Sequence, residues 1–245
     1  MGYIIESFGI SDLGLARDTN EDVFHEIPIH RFFVLADGMG GHNAGEIAAK
    51  EAVHHLSTSI CQIFSSQEEP TPLDKPLPEL LHKAILGANQ WVHQLSEQKE
   101  ELQGMGTTLC CFLLHEDNLV CAHIGDSRIY RFREALEQIT EDHRASASSN
   151  KKNMITKAIG TSPHVEPTIN TLPISSNDIY FLCSDGLTDY VSDEEISTIL
   201  QNHLCIKSAS KELINIAKTN GGGDNITILM VKVVSQLPLP EGRGL

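Results

Sequence analysis

Apolar residues along this chain fall into short runs that are typical of β-strands, and longer segments between them repeat at helical spacing. The runs predict strands at 3–10, 23–27, 31–36, 107–114, 118–124, 127–133, 178–183 and 225–234. Polar breaks at 116–118 and 134–135 each separate two apolar stretches. Each break predicts a β-hairpin, because two strands joined so closely must run antiparallel.

Helical signals are fewer. Asn43 with Glu46 resembles an N-cap with its return partner, and Ser192 with Glu195 forms a second capping box. Together with the apolar periodicity, they predict helices at 43–60, 79–96, 192–200 and 207–219. Strands in hairpins and helices in pairs indicate an α+β fold with antiparallel sheets rather than strict β-α-β alternation.

Three segments of the chain lack a clear strand or helix pattern. Residues 65–78 are rich in proline and predict a surface loop between two long helices, with a domain linker as the alternative. Residues 141–153 are polar, and we expect them to be mobile. We predict one domain over residues 1–234, followed by a disordered tail at 235–245.

The charge balance excludes some classes of partner. The chain has 33 acidic and 18 basic residues among 245, for a net charge of −15. This argues against a nucleic-acid groove and against an anionic membrane surface. No apolar run approaches the length of about 18 residues that a transmembrane helix needs, and the first residues lack the pattern of a signal peptide. We therefore expect a cytoplasmic protein.

The cysteines give no sign of a metal or redox motif. None of the 6 forms a C-x-x-C pair, and most lie inside apolar runs. They are predicted to be buried, reduced thiols, with zinc binding or redox work as the alternative.

Several carboxylates stand at the ends of apolar strands. Any one of them is consistent with an ordinary turn, since aspartate and glycine are common turn residues. If the strands share a sheet or face each other, however, their ends converge. The strand-end carboxylates are Glu21, Asp22, Asp37, Asp126, Asp185 and Asp224.

A convergence of carboxylates points to divalent metal. Like charges raise each other's pKa, and a cation removes that conflict. Oxygen ligands without His or Cys favour Mg²⁺ or Mn²⁺, and a pair of such ions suits phosphate-ester hydrolysis. Gly38 lets the backbone after Asp37 come close enough for its carbonyl to act as a ligand. Arg17 is a candidate phosphate-binding group, with a solvated surface arginine as the alternative.

Six segments of the chain resemble those of a known protein family. The segments RDTNED, VLADGMGGHNAGEIAA, GMGTT, IGDSRIYRF, LCSDGLTD and GGDNITILMVKV resemble the protein phosphatase 2C family, and its bacterial branch in particular. They occur in the family's order and cover about residues 3–234. The resemblance implies a catalytic domain built as a sandwich of two antiparallel sheets flanked by helices, with the metal site in a cleft at one end.

The resemblance also assigns metal ligands position by position. Asp37 would bridge two ions of Mn²⁺ or Mg²⁺, and Gly38 would ligate one of them through its carbonyl. Asp185 and Asp224 would complete the ligands of the second ion. Asp126 would serve a third, weaker ion, shared with Asp185.

Other residues receive catalytic or supporting roles. Arg17 would bind the substrate phosphate, while Glu21 and Asp22 would hold metal-bound waters and orient Arg17. The attacking group would be a metal-activated water, without a phosphoenzyme. Thr107 and Thr108 are expected to support the sheet beside the site, and Asn225 to fix the turn that aims Asp224.

The chain departs from the family pattern in two places. Met39 stands where animal members usually have His, and His42 follows three residues later, so the proton donor to the leaving group stays open between His42 and a metal-bound water. In addition, only 12 residues separate TEDH at 140–143 from TKAIG at 156–160. The flap is truncated, and Lys157 replaces the usual arginine, so third-metal affinity and substrate selectivity are expected to be unusual.

The function implied is that of a metal-dependent phosphoserine and phosphothreonine protein phosphatase. We expect a monomer that acts on phosphoproteins made by a bacterial serine/threonine kinase. A non-catalytic, phosphatase-like binding module is the alternative. Degenerate members lose one or more of the aspartates, whereas this chain keeps Asp37, Asp126, Asp185 and Asp224 together with Arg17.

Overall fold

The computed structural model describes residues 3–40, 44–65, 76–145 and 154–234. Their strands are β1 (Ile4–Asp12), β2 (Asp22–Ile27), β3 (Phe32–Met39), β4 (Gly106–Thr107), β5 (Leu109–His115), β6 (Asn118–Ile124), β7 (Arg128–Phe132), β8 (Leu136–Gln138), β9 (Thr168–Pro173), β10 (Ile179–Cys183) and β11 (Ile226–Val234). Their α-helices are α1 (Ala44–Ser65), α2 (Leu77–Gln98), α3 (Asp185–Thr188), α4 (Asp193–Asn202) and α5 (Ile206–Thr219). Short 3₁₀ turns occur at Pro28–His30 and Glu100–Leu102.

The strands form two antiparallel sheets. One sheet has the order β1-β11-β10-β7-β8. The other has the order β2-β3-β5-β6-β9, with the short β4 paired to β3. The predicted fold class, an α+β sandwich of two antiparallel sheets flanked by helices, is confirmed.

The layers explain why the strand FFVLA is apolar at every position. Successive side chains of a strand point to opposite faces. Phe32 and Val34 lie in the core beneath α1 and α2, whereas Phe33 and Leu35 lie in the core between the two sheets. A further core packs α4 and α5 against the first sheet. Because both faces of β3 are covered, its five apolar residues are buried, and the strand becomes partly exposed only from Asp37 onward.

Both predicted hairpins are confirmed. The turn between β5 and β6 consists of Glu116 and Asp117, with Glu116 at a φ of 52°. The capping box is also present, since the Ser192 hydroxyl accepts a hydrogen bond from the N–H of Glu195 at 3.3 Å and the Glu195 carboxylate accepts one from the N–H of Ser192 at 2.9 Å.

Other local predictions need correction. The strand predicted at 107–114 is two strands, β4 and β5, interrupted at Thr108, whose N–H and hydroxyl both bond to the backbone of Asp37. Strand β3 continues to Met39 because its last two residues pair with β4. Strand β9 was not predicted. The Asn43 cap, most of the loop at 65–78 and the tail at 235–245 lie outside the described residues.

The cysteines follow the prediction in part. All of them are free. The prediction of burial is wrong for Cys205, which is exposed just before α5, and Cys61 is only partly covered. The fully buried thiols are those of Cys110, Cys111, Cys121 and Cys183. Within the described ranges, no helix combines the length and the apolarity needed to cross a bilayer.

Candidate active site

The backbone of Asp37 is held on both of its polar atoms. Its carbonyl accepts hydrogen bonds from the N–H of Thr108 at 2.8 Å and the hydroxyl of Thr107 at 2.8 Å. Its N–H donates to the hydroxyl of Thr108 at 3.0 Å. On the other side, Asp37 lies opposite Asp22 in the β2–β3 ladder. The two threonines therefore fix the position from which the Asp37 carboxylate enters the site.

Gly38 is required by close packing. Its N–H donates to the carbonyl of Glu21 at 3.1 Å. A Cβ atom at this position would lie 2.2 Å from the carbonyl oxygen of Gly45 and 2.9 Å from that of Glu21. Neither backbone oxygen can move without shifting α1 or the segment before β2. The glycine lets these three segments meet beside Asp37.

Several neighbouring carboxylates act on the pKa of Asp37. Burial raises the pKa of Asp37 well above its ordinary value, and the neighbouring charges of Asp22, Asp185, Asp224 and Asp126 raise it further. Such mutual effects require the strand ends to be close together.

The pKa values of three neighbouring carboxyls are raised as well. Burial raises the pKa of Asp22 to about 7, against the opposing hydrogen bond from Ser184. Burial, reinforced by Asp126, raises the pKa of Asp185 to about 6. The pKa of Glu21 is raised mainly by burial, with Arg17 acting in the opposite direction. The site therefore carries more negative charge than its own cations balance.

Asp22 is held by a residue that the sequence did not single out. The hydroxyl of Ser184 donates to Oδ2 of Asp22 at 2.7 Å and accepts from the N–H of Thr227 at 3.0 Å. The other carboxylate oxygen, Oδ1, is buried without a hydrogen-bond partner among the described residues. Ser184 immediately precedes Asp185, so this bond ties β2 to the end of β10.

Two arginines reach the carboxylates. Arg17, half exposed, donates from Nη2 to Oδ2 of Asp224 at 2.7 Å. Arg144 donates from Nε to Oδ2 of Asp126 at 2.5 Å and from Nη2 to Oδ2 of Asp185 at 3.0 Å. The sequence indicated Arg17 but gave no reason to select Arg144, which lies in the polar segment after TEDH.

Asn225 joins the two loops that carry site residues. Its side-chain oxygen accepts from the N–H of Glu21 at 2.9 Å, and its side-chain nitrogen donates to the carbonyls of Leu13 and Thr19, each at 3.0 Å. Its own N–H donates to the carboxylate of Asp224 at 2.8 Å. Asn225 thus positions the segment of Arg17 and Glu21 as well as the turn at Asp224.

The donor chemistry of this cluster fits hard divalent cations. All candidate ligands are oxygens, the charges of four other aspartates raise the pKa of Asp37, and Oδ1 of Asp22 is buried without a partner within the described ranges. The side-chain positions, however, do not yet form a metal site. Within residues 3–40, 44–65, 76–145 and 154–234, no group of three Asp, Glu, His or Cys side chains is arranged to hold one ion. The arginines instead pair with three of the aspartates. His42 lies outside the described residues.

Comparison with known proteins identifies the family. The sequence profile of protein phosphatase 2C matches residues 18–221. The serine/threonine phosphatase stp of Listeria monocytogenes is 32% identical over 243 residues, which cover 91% of this chain and 93% of that protein. The protein phosphatase PhpP of Streptococcus pneumoniae is 33% identical over 245 residues, covering 91% and 96% respectively.

Solved structures agree with the sequence matches. The serine/threonine phosphatase PstP/Ppp of Mycobacterium tuberculosis has a TM-score of 0.82 at 32% identity, covering 94% of this chain and 99% of that one. A PstP catalytic domain in complex with two manganese ions has a TM-score of 0.81 at 33% identity, covering 96% and 100%. The chain belongs to the protein phosphatase 2C family. The predicted enzyme class, a serine/threonine protein phosphatase, is confirmed.

Proposed function

We propose that this protein hydrolyses phosphoserine and phosphothreonine in proteins with two divalent ions, Mn²⁺ or Mg²⁺, at the carboxylate cluster. The observation that carries the proposal is the clustering of carboxylates at the strand ends. Asp22 lies opposite Asp37, Arg144 bonds to both Asp126 and Asp185, and Arg17 pairs with Asp224. The proposal is supported by a related catalytic domain, PstP, whose structure contains two manganese ions.

The family resemblance assigns the residues that would hold the ions. Asp37 would serve both ions, the Gly38 carbonyl would serve the first, and Asp185 and Asp224 would serve the second. When bound, such ions neutralise negative charge on the transferring phosphoryl group and lower the pKa of a coordinated water. The raised pKa values of Asp37 and Asp185 mean that positive charge at this place is strongly favourable.

Arg17 would bind the substrate phosphate. Its guanidinium is half exposed and carries donors that match two phosphate oxygens. The ion pair with Asp224 keeps the guanidinium at the edge of the cluster. Glu21, whose charge also acts on Arg17, would help to orient it.

Ser184 and the threonines would preserve the geometry of the cluster. Ser184 holds Asp22 through Oδ2, and Thr107 and Thr108 hold the backbone of Asp37. Asp22 would accept hydrogen bonds from solvent in the site through its remaining oxygen, which has no partner among the described residues. These contacts restrict movement of the carboxylates that would face the substrate.

The substrates would be phosphoproteins, and a bacterial serine/threonine kinase would supply them in the cytoplasm. The net charge of −15 repels anionic phosphopeptides over long distances. Recognition would therefore depend on local positive charge at Arg17 and at the bound ions. A monomer is sufficient for this scheme, because every assigned residue comes from one chain.

Turnover of a phosphothreonine peptide before and after chelation tests this function. Protein stripped with EDTA should release no phosphate, and added Mn²⁺ should restore the release. Full turnover by protein shown to be metal-free by elemental analysis would contradict the proposal. Peptide binding without turnover in saturating Mn²⁺ and in Mg²⁺ would instead favour the non-catalytic binding module.

A further inference from the structure

Arg144 is carried into the cluster by two short backbone segments, 143–145 and 154–156, that pair antiparallel. Arg144 pairs with Ile155 in an antiparallel bridge, and the N–H of Ala145 donates to the carbonyl of Met154 at 2.9 Å. His143 anchors the first segment, since its N–H donates to the carbonyl of Gly125 at 2.9 Å and its Nδ1 accepts from the N–H of Gly125 at 3.1 Å. The described residues that follow TEDH are thus held next to Asp126.

The guanidinium of Arg144 lies among three carboxylates. Besides the hydrogen bonds to Asp126 and Asp185, Nη1 lies 3.7 Å from the carboxylate of Asp189. The side chain of Asp126 is only 2% exposed, and that of Arg144 is 21% exposed. A buried carboxylate needs a partner of opposite charge, and Arg144 provides it.

Asp126 and Asp185 are the residues to which the family resemblance assigns a third ion. Arg144 already binds one oxygen of each. An ion held by the remaining oxygen of Asp126 would lie beside the guanidinium, and two positive charges at that separation repel each other strongly when screening by water is reduced. The described structure therefore does not fit a third ion at these two carboxylates.

We infer that Arg144 takes the place of the third cation in this chain. Building on the proposed function, the protein binds two divalent ions at the Asp37 side of the cluster. The guanidinium supplies fixed positive charge between Asp126 and Asp185, independent of the metal concentration. Arg144 lies in the shortened interval between TEDH and TKAIG, and its pairing with Ile155 holds the guanidinium at these carboxylates.

Counting bound manganese tests the inference. Equilibrium dialysis against Mn²⁺, followed by elemental analysis, should give two ions per wild-type chain up to millimolar concentrations. Arg144→Met removes the charge with similar length, and the count should rise to three. Arg144→Lys keeps a cation and should leave the count at two. The double variant Arg144→Met, Asp126→Asn should return it to two, because the new ion needs the Asp126 carboxylate.

A matched control removes an arginine elsewhere. Arg131 on β7 pairs with Glu137 on β8, so Arg131→Met changes the net charge equally without touching the cluster, and its count should stay at two. Three ions in the wild type would overturn the inference even if a variant failed to fold. A count of two in folded Arg144→Met would overturn it as well.

The two proposals fail in different ways. A wild-type chain that binds no manganese and releases no phosphate would contradict the proposed function, and the inference with it. A chain that releases phosphate while holding three ions would contradict only the role of Arg144.

Discussion

The side-chain oxygen of Asn225 accepts a hydrogen bond from the backbone N–H of Glu21 at 2.9 Å, across 204 positions of sequence. The same side chain donates to the carbonyls of Leu13 and Thr19. Asn225 immediately precedes β11, and Glu21 immediately precedes β2. These two strands lie in different sheets. One buried amide therefore joins the two halves of the sandwich at the site.

Replacement of Asn225 by Ala should destabilise the protein and lower its activity together. The change removes three hydrogen bonds, from one N–H and to two carbonyls, and each such bond contributes about 0.5–1.5 kcal/mol. We expect the free energy of unfolding to fall by about 2–4 kcal/mol, measured with urea. Asn215→Ala on the exposed face of α5 is the control. Equal losses in both variants would contradict the role of Asn225.

The two threonines that hold Asp37 should respond differently to substitution by Val. Thr108→Val removes the acceptor of the Asp37 N–H, and the expected loss is about 1–3 kcal/mol with weaker Mn²⁺ binding. Thr107→Val removes only one of two donors to the Asp37 carbonyl, so its effect should be smaller. Urea unfolding and manganese titration of both variants measure the difference. The reverse order of effects would show that the carbonyl is the more critical atom.

Arg17 should contribute to substrate affinity through its paired donors. Hydrogen bonds to charged groups are worth about 1.5–3 kcal/mol, so Arg17→Ala should raise KM for a phosphopeptide by roughly 10–100-fold. Arg17→Lys retains the positive charge but not the paired donors of a guanidinium. Its KM should therefore lie between those of the wild type and Arg17→Ala. Lys211→Ala on α5, an exposed position, serves as the control for lost positive charge. An unchanged KM in Arg17→Ala would show that Arg17 pairs with Asp224 without binding the substrate phosphate.

Acid should lower the stability of the protein through His143, the residue before Arg144. Burial lowers the pKa of His143 to about 4, the charges of His123 and Lys157 lower it further, and Asp142 acts in the opposite direction. The ring stacks on His123 at 4.5 Å, and its Nδ1 accepts from Gly125, which requires the neutral form.

The sign of this pH effect follows from linkage. An unfolded His has a pKa of about 6.5, so between pH about 6.5 and about 4 the unfolded chain binds more protons than the folded chain. Stability from this residue is therefore present above that window and lost as the pH falls through it. Urea unfolding at pH about 7.5 and about 5 should show a smaller acid loss in His143→Gln than in the wild type. Identical losses would mean that His143 does not carry the effect.

Local signals account for most of what the sequence predicted of the fold. The turn at Glu116 and Asp117 and the capping box at Ser192 need only neighbouring residues, and both are present. Strand β9 was missed because TINTLP is an edge strand with no buried residue. Its pairing with β6 depends on a partner more than forty positions away, which periodicity does not reveal.

In the candidate site, too, local features could be predicted and contacts between distant segments could not. Aspartates at strand ends were visible because each follows or precedes an apolar run. The contacts of Ser184 and Arg144 were not visible, because they depend on how distant loops meet. Asn225 was predicted to shape only its own turn, whereas three of its hydrogen bonds reach Leu13, Thr19 and Glu21.

Replacement of Asp37 by Asn tests the central claim most directly. The change removes one charge from the centre of the cluster and preserves the shape of the side chain. Manganese binding and turnover of a phosphothreonine peptide should fall together, with kcat reduced on the order of 10³-fold if several kcal/mol of metal assistance is lost. Asp117→Asn, in the exposed turn after β5, should leave both unchanged. Wild-type turnover by folded Asp37→Asn would contradict the account.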